Sequence, residues 1–150
     1  MKIGFDLDGV LCNVDVGLLR VIDNMKDEVK KSAEEWYYRE RKPLLNPILF
    51  LSAEDKFYII TSRPKRLEYI TRPWVNRYYP NAIFINTDHE TLTKKDNDRE
   101  AIKDWLKKMA EKKAELVSKL DVYFEDSSDT VYWLRKMCPD TKIIQYGGRW

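Results

Sequence analysis

The chain is poor in the residues that mark several common classes of protein. Its two cysteines, Cys12 and Cys138, are too few for a disulfide framework and lack the spacing of a metal site. Its one histidine, His89, falls in a polar stretch read as a surface loop, so no serine triad can be assembled. No apolar run approaches the ~18 residues of a membrane span. The opening residues carry no signal-peptide pattern, and a reducing cytoplasmic setting is the expectation. Charge of one sign is missing too: 27 basic against 25 acidic side chains leave a net +2, where a dedicated nucleic-acid binder shows a stronger basic bias. Neither a P-loop nor a G-x-G-x-x-G pattern is present to hold a nucleoside triphosphate or dinucleotide. There is no internal repeat.

What is present is a chain of 150 residues, 43% hydrophobic and 35% charged, enough for one domain with a substantial core. It opens with a short apolar strand that ends in Asp6-Leu7-Asp8-Gly9. Residues two apart on a strand share a face, so Asp6 and Asp8 converge while Phe5 and Leu7 turn toward packing. Two close carboxylates repel unless a proton or cation lies between them, and a hard divalent ion such as Mg2+ suits oxygen ligands. An ordinary Asp-Gly turn accounts for one aspartate but not for two at a strand end.

Downstream, Leu18, Ile22, Met25 and Val29 give a helical stripe over about 15–30. Ser32 and Glu35 resemble a capping box that opens a second helix, which Pro43 ends. A strand at 57–60 leads into Thr61-Ser62-Arg63-Pro64, with Ser62 placed to cap a helix that Pro73 interrupts. Further strands are expected at 82–85, 122–124 and 142–146, with helices at about 99–119 and from Val131 to near Pro139. Strands alternating with amphipathic helices predict a three-layer α/β/α fold, Rossmann-like, around a central parallel sheet.

In such sheets ligands bind outside the carboxyl ends of the strands. Three strands end in polar chemistry there: Asp6 and Asp8, then Thr61, Ser62 and Arg63, then Glu125, Asp126 and Asp129. The helix at 99–119 adds Lys113, centred on a stripe of Leu106, Met109, Leu116, Val117 and Leu120. A lysine there either snorkels or meets an anion, and its place just before the acidic strand end favours a phosphoryl group. Carboxylates for a cation, hydroxyls at a helix start and a buried lysine suit phosphoryl transfer to water.

In their order and chemistry, Asp6-Leu7-Asp8-Gly9-Val10, Thr61, Lys113 and Glu125-Asp126 resemble the haloacid dehalogenase (HAD) superfamily of phosphohydrolases. Within it, Phe5 to Leu11 with Gly17-Leu18-Leu19-Arg20 looks like the opening of the 5′(3′)-deoxyribonucleotidase group. The resemblance implies a Mg2+-dependent phosphomonoesterase in which Asp6 is the nucleophile, forming an aspartyl-phosphate, and Asp8 moves protons. It further implies that Asp6, the Asp8 backbone carbonyl and Asp126 hold Mg2+, with Glu125 ordering a metal-bound water. Thr61, Ser62 and Lys113 would bind the phosphoryl oxygens. The first acidic residue of the Glu125-Asp126 pair is usually aspartate in that group.

Only 52 residues separate Asp8 from Thr61. The domain expected over 1–150 therefore has room for no more than a miniature helical cap around 32–50. Trp36, Tyr37, Tyr38, Arg39 and Arg41 either form a small substrate-contacting lid or pack that helix on the body, the second being the simpler reading. Two substrate classes stay open: a nucleotide, or, because a reduced cap leaves an open site, a macromolecular substrate such as a nucleic-acid end or phosphoprotein. Closure of the site by a partner subunit in a homo-oligomer, transfer to an acceptor other than water, and a non-catalytic binding role also stay open. Cys12 near the site is read as packing, and the Lys94-Lys95 and Lys107-Lys108 runs as solvated faces.

Overall fold

The computed structural model describes residues 1–44, 46–49, 51–89 and 98–147. Five strands, β1 (Lys2–Phe5), β2 (Lys56–Thr61), β3 (Ile83–Asn86), β4 (Val122–Glu125) and β5 (Lys142–Gln145), form one parallel sheet in the order β3-β2-β1-β4-β5. The helices are α1 (Val16–Asp23), α2 (Asp27–Arg39), α3 (Glu68–Tyr78), α4 (Arg99–Val117) and α5 (Ser128–Met137). This is the α/β architecture expected from the alternation of strands and helices.

Alternation along the strands explains the layers. Ile3, Phe5, Phe57 and Ile59 face one side, where Trp74 and Val75 of α3 complete a core cluster. Ile60, Tyr123 and Ile143 face the other, against Val117 of α4 and Val131 and Leu134 of α5. Phe5 stacks on Phe124 at 4.8 Å and meets Phe57 edge-on at 5.3 Å. Phe5 is fully buried, and burying such a side chain contributes about 1.5–3 kcal/mol through lost apolar surface. The core thus pins β1 in the middle of the sheet.

Register then sets the working edge. Phe5 lies opposite both Ile59 and Phe124, so Asp6, Thr61 and Glu125 leave the sheet within two residues of one another. Asp6 stays tied to it through its N–H on the Phe124 carbonyl, at 2.8 Å.

The structure corrects four expectations. The helix expected at 15–30 breaks after Asp23, because the Asn24 side-chain amide donates to the Arg20 carbonyl at 2.8 Å and competes with further helix. Val29 is consequently exposed, and Ser32 and Glu35 lie inside α2 rather than at its start. Pro73 sits within α3 without ending it, since one missing N–H is outweighed by the burial of Ile70, Thr71, Trp74 and Val75. Ser62 caps no helix: it pairs with Thr87 at 3.0 Å, and Asp88 instead accepts the Lys65 N–H at 2.9 Å where a short 3-10 turn, Lys65–Leu67, precedes α3. Leu45, Phe50, Lys94-Lys95 and the 148–150 tail lie outside the described residues. No helix among the described residues is long and apolar enough to cross a membrane.

Candidate active site

Strand parity sends Asp6 and Glu125 toward α4. There Ala110, Lys113 and Val117 form the buried stripe of the helix, so the lysine expected to meet an anion is carried into the sheet's edge. Only 2% of Lys113 is exposed, and its Nζ donates to Asp6 Oδ1 at 2.9 Å and to Glu125 Oε2 at 2.8 Å. Burial alone would strip the ammonium of its proton, but the two carboxylates hold its pKa well above the usual lysine value. Asp6 moves the other way. Burial and the neighbouring Glu125 raise its carboxyl to about 7, against the pull of Lys113.

Asp8 points away from this triad, to the α3 side of the cavity. Arg63 Nε and Nη2 donate to its two carboxylate oxygens at 2.8 and 2.6 Å, the side-on fork that suits guanidinium and carboxylate. Desolvation, which disfavours the guanidinium charge, is outweighed by Asp8, so the Arg63 pKa is raised. Thr71 Oγ1 accepts from Arg63 Nη1 at 3.2 Å, and the Tyr38 ring lies 4.5 Å from the Arg63 Cζ. Cys12 is buried as expected, and its Sγ also lies 3.4 Å from Asp8 Oδ1.

Thr61 is buried and accepts the Arg63 N–H at 3.2 Å. Glu125 accepts the Ser127 N–H at 3.2 Å with its other oxygen, so both its oxygens are engaged in orienting Lys113 and the following turn. Gly9 (φ +84°) and Gly147 (φ +82°) bracket Asp126. A Cβ on Gly9 would overlap the Asp126 carboxylate, and one on Gly147 would overlap the Gly9 carbonyl. Only glycine tolerates that backbone and that approach together.

Carboxylate oxygens of Asp6, Glu125 and Asp126 lie within 4.8 Å of one another, all buried. With Asp8, four carboxylates face two cations, Lys113 and Arg63. The two formal negative charges left over, on an all-oxygen donor set, fit a hard divalent cation. The acidic cluster could therefore hold a metal ion.

Asp6, Asp8, Thr61, Ser62, Arg63, Lys113, Glu125 and Ser127 line one cavity of about 260 Å³. Asp126 is not among its lining residues but lies against Gly9, its carboxylate grouped with those of Asp6 and Glu125. A larger cavity, about 650 Å³, opens at the start of β2 and β3, but its carboxylate, Asp55, is taken by the Met1 amino group at 2.7 Å and the Ser52 N–H at 2.9 Å. The chemistry converges in the smaller one.

Three participants escaped the sequence reading in whole or part. Arg63 was visible only as a neighbour of Thr61-Ser62, and nothing in the spacing says it reaches Asp8. His89 is not a surface residue: its ring is buried 4.9 Å from that of Trp105 and lines the cavity, because the turn after β3 folds back onto α4. Tyr38 lines the cavity, while Tyr37 packs inward with its hydroxyl accepting the Asp15 N–H at 2.9 Å and Trp36 stays exposed. The aromatic run of α2 thus divides between packing and cavity.

No family model and no curated protein matches this chain. Among solved structures, a chain from the Pnkp1/Rnl/Hen1 RNA repair complex superposes with a TM-score of 0.54 at 14% identity, covering 99% of this chain and 42% of that one. The chain thus spans less than half the length of that neighbour, and the likeness is one of fold. A HAD-family enzyme from Bacteroides thetaiotaomicron, an aspartate-to-alanine variant solved with magnesium and inorganic phosphate, gives a TM-score of 0.45 at 12% identity over 96% of this chain and 92% of that one.

Proposed function

We propose that the chain is a Mg2+-dependent phosphomonoester hydrolase of the HAD type that works through an aspartyl-phosphate on Asp6. The observation that carries this reading is the meeting of Asp6, Asp8, Lys113 and Glu125 around one small cavity at the carboxyl edge of the sheet, with Asp126 beside Asp6 and Glu125 in one acidic cluster. Asp6 attacks phosphorus, and as its carboxylate oxygen forms the new bond the bond to the leaving oxygen breaks. That oxygen takes its electron pair and a proton from Asp8. Water then attacks the phosphoryl group, gives a proton back to Asp8, and releases inorganic phosphate and Asp6.

Lys113, Thr61 and Ser62 would compensate the charge of the phosphoryl oxygens. Asp6, Asp126 and the Asp8 carbonyl would hold Mg2+, which supplies further charge compensation there, and Glu125 fixes Lys113 beside it. For the substrate we favour a nucleotide, on the resemblance of the opening motif. The segment between β1 and β2 lends the cavity Leu19, Asp23, Glu34 and Tyr38, a shallow cover that also suits a second reading, the phosphorylated end of a nucleic acid.

The test is phosphate release from an aryl phosphate, from 5′- and 3′-nucleotides and from phosphorylated oligonucleotides, with Mg2+ and with chelator. Expected is Mg2+-dependent turnover that Asp6→Asn lowers by at least ~10³-fold, with mononucleotides ahead of oligonucleotides. Turnover indifferent to chelator or to Asp6→Asn would refute the reading, and oligonucleotides ahead would select the second substrate class.

A further inference from the structure

Arg63 is costly to bury, and the fold spends several groups on placing it. It is 4% exposed, its Nη1 is held by Thr71 Oγ1 at 3.2 Å, and Thr71 is anchored in turn by donating to the Leu67 carbonyl at 3.0 Å. Its planar face lies over Tyr38, and Nη2 also reaches Cys12 Sγ at 3.5 Å. All of this delivers two parallel hydrogen bonds to Asp8, at 2.6 and 2.8 Å. A carboxylate on a loop after a strand end has two free rotations; a bidentate guanidinium removes both.

We infer that Arg63 is the positioning residue for Asp8, holding its carboxylate in the pose that accepts a proton from the attacking water when the aspartyl-phosphate is hydrolysed. The inference rests on the phosphohydrolase reading above. It gives Arg63 no contact with phosphorus, and a part in forming the intermediate only where the leaving oxygen needs the proton of Asp8. The fork engages both Asp8 oxygens, Cys12 Sγ approaches Oδ1 at 3.4 Å, and Asp8 and Arg63 both line the cavity. A lysine at the same place keeps the charge but, as a point donor, cannot fix the carboxylate plane.

The experiment resolves the two half-reactions with 4-nitrophenyl phosphate, whose leaving group departs without a proton, so that only the second half-reaction needs Asp8. In Arg63→Lys, steady-state kcat is expected to fall by about 10²-fold, while the stoichiometric burst of 4-nitrophenol survives and phosphorylated Asp6 accumulates for acid-quench mass spectrometry. Because the first half-reaction is untouched, kcat/KM should stay within about twofold and KM should fall together with kcat. Thr71→Val, which loosens Arg63 without touching the site, should show the same accumulation more weakly and covers the case in which Arg63→Lys folds poorly. Burst and steady state slowed equally, or a raised KM with kcat intact, would overturn the inference by making Arg63 a general structural or phosphate-binding group. A wild-type protein without turnover would instead overturn the phosphohydrolase reading itself.

Discussion

Two buried ion pairs flank the same strand end, and they are built differently. On the α4 side, Lys113 bridges Asp6 and Glu125, whose side chains are 9% and 2% exposed. On the α3 side, Arg63 clamps Asp8, whose side chain keeps 22% of its exposure. The first assembly is sealed, and its charges depend wholly on one another. The second has one wet partner and can surrender a contact at lower cost. On the proposed function, the deep bridge would govern folding and cation binding, and the rim clamp the pose of Asp8.

The sharpest way to break the comparison is Lys113→Met. Removing the cation strands Asp6 and Glu125 in a dry pocket, and losing one partner of a buried ion pair costs about 3–5 kcal/mol. Urea unfolding should show a loss of that order, clearly larger than the loss in Arg63→Lys. Equal losses would dissolve the distinction between sealed and rim assemblies.

Metal linkage comes next in size. If the carboxylate cluster prefers a divalent cation in the folded state, Mg2+ at a hundred times its dissociation constant adds about 2.7 kcal/mol. Thermal melts with Mg2+ and with chelator should separate accordingly, and Asp126→Asn should abolish the separation. A shift that persists in Asp126→Asn would place the ion elsewhere.

The smallest expected effect tests the glycine that braces the cluster from outside. Gly147→Ala forces a side chain into a left-handed backbone and against the Gly9 carbonyl behind Asp126. A stability loss of about 1–2 kcal/mol should accompany a roughly tenfold weaker Mg2+ response, the scale seen when support behind a metal ligand is lost. An unchanged Mg2+ response would show that the bracing does not reach the metal ligands.

Much of the architecture was legible because it rests on local pattern. Short apolar runs alternating with helical stripes imply parallel strands, and parallel strands bring Asp6, Thr61 and Glu125 to one edge through register alone. Lys113 was legible for a related reason: a charge in the middle of an apolar stripe must find a partner. Helix boundaries were not: the Asn24 side chain ends α1 through its own bond to the Arg20 carbonyl, while Ser32, Ser62 and Pro73, read from local pattern, were placed otherwise by the surrounding structure. Ser62 pairs with Thr87 rather than capping a helix only because the turn after β3 folds beside it. His89 is drawn inward by Trp105, sixteen residues away.

The sequence by itself determined the layered fold, the strand ends that carry chemistry and the identity of the paired aspartates, because strand parity and helical period are properties of neighbours along the chain. Only the tertiary structure decided what each aspartate meets. Asp6 takes Lys113 from 107 residues away and Asp8 takes Arg63 from 55 residues away, and no periodicity reaches that far. Side chains at such separations are matched by the sheet order and by the need to neutralise every charge it buries. Position along the chain says which groups arrive at the edge, and burial says which of them must pair.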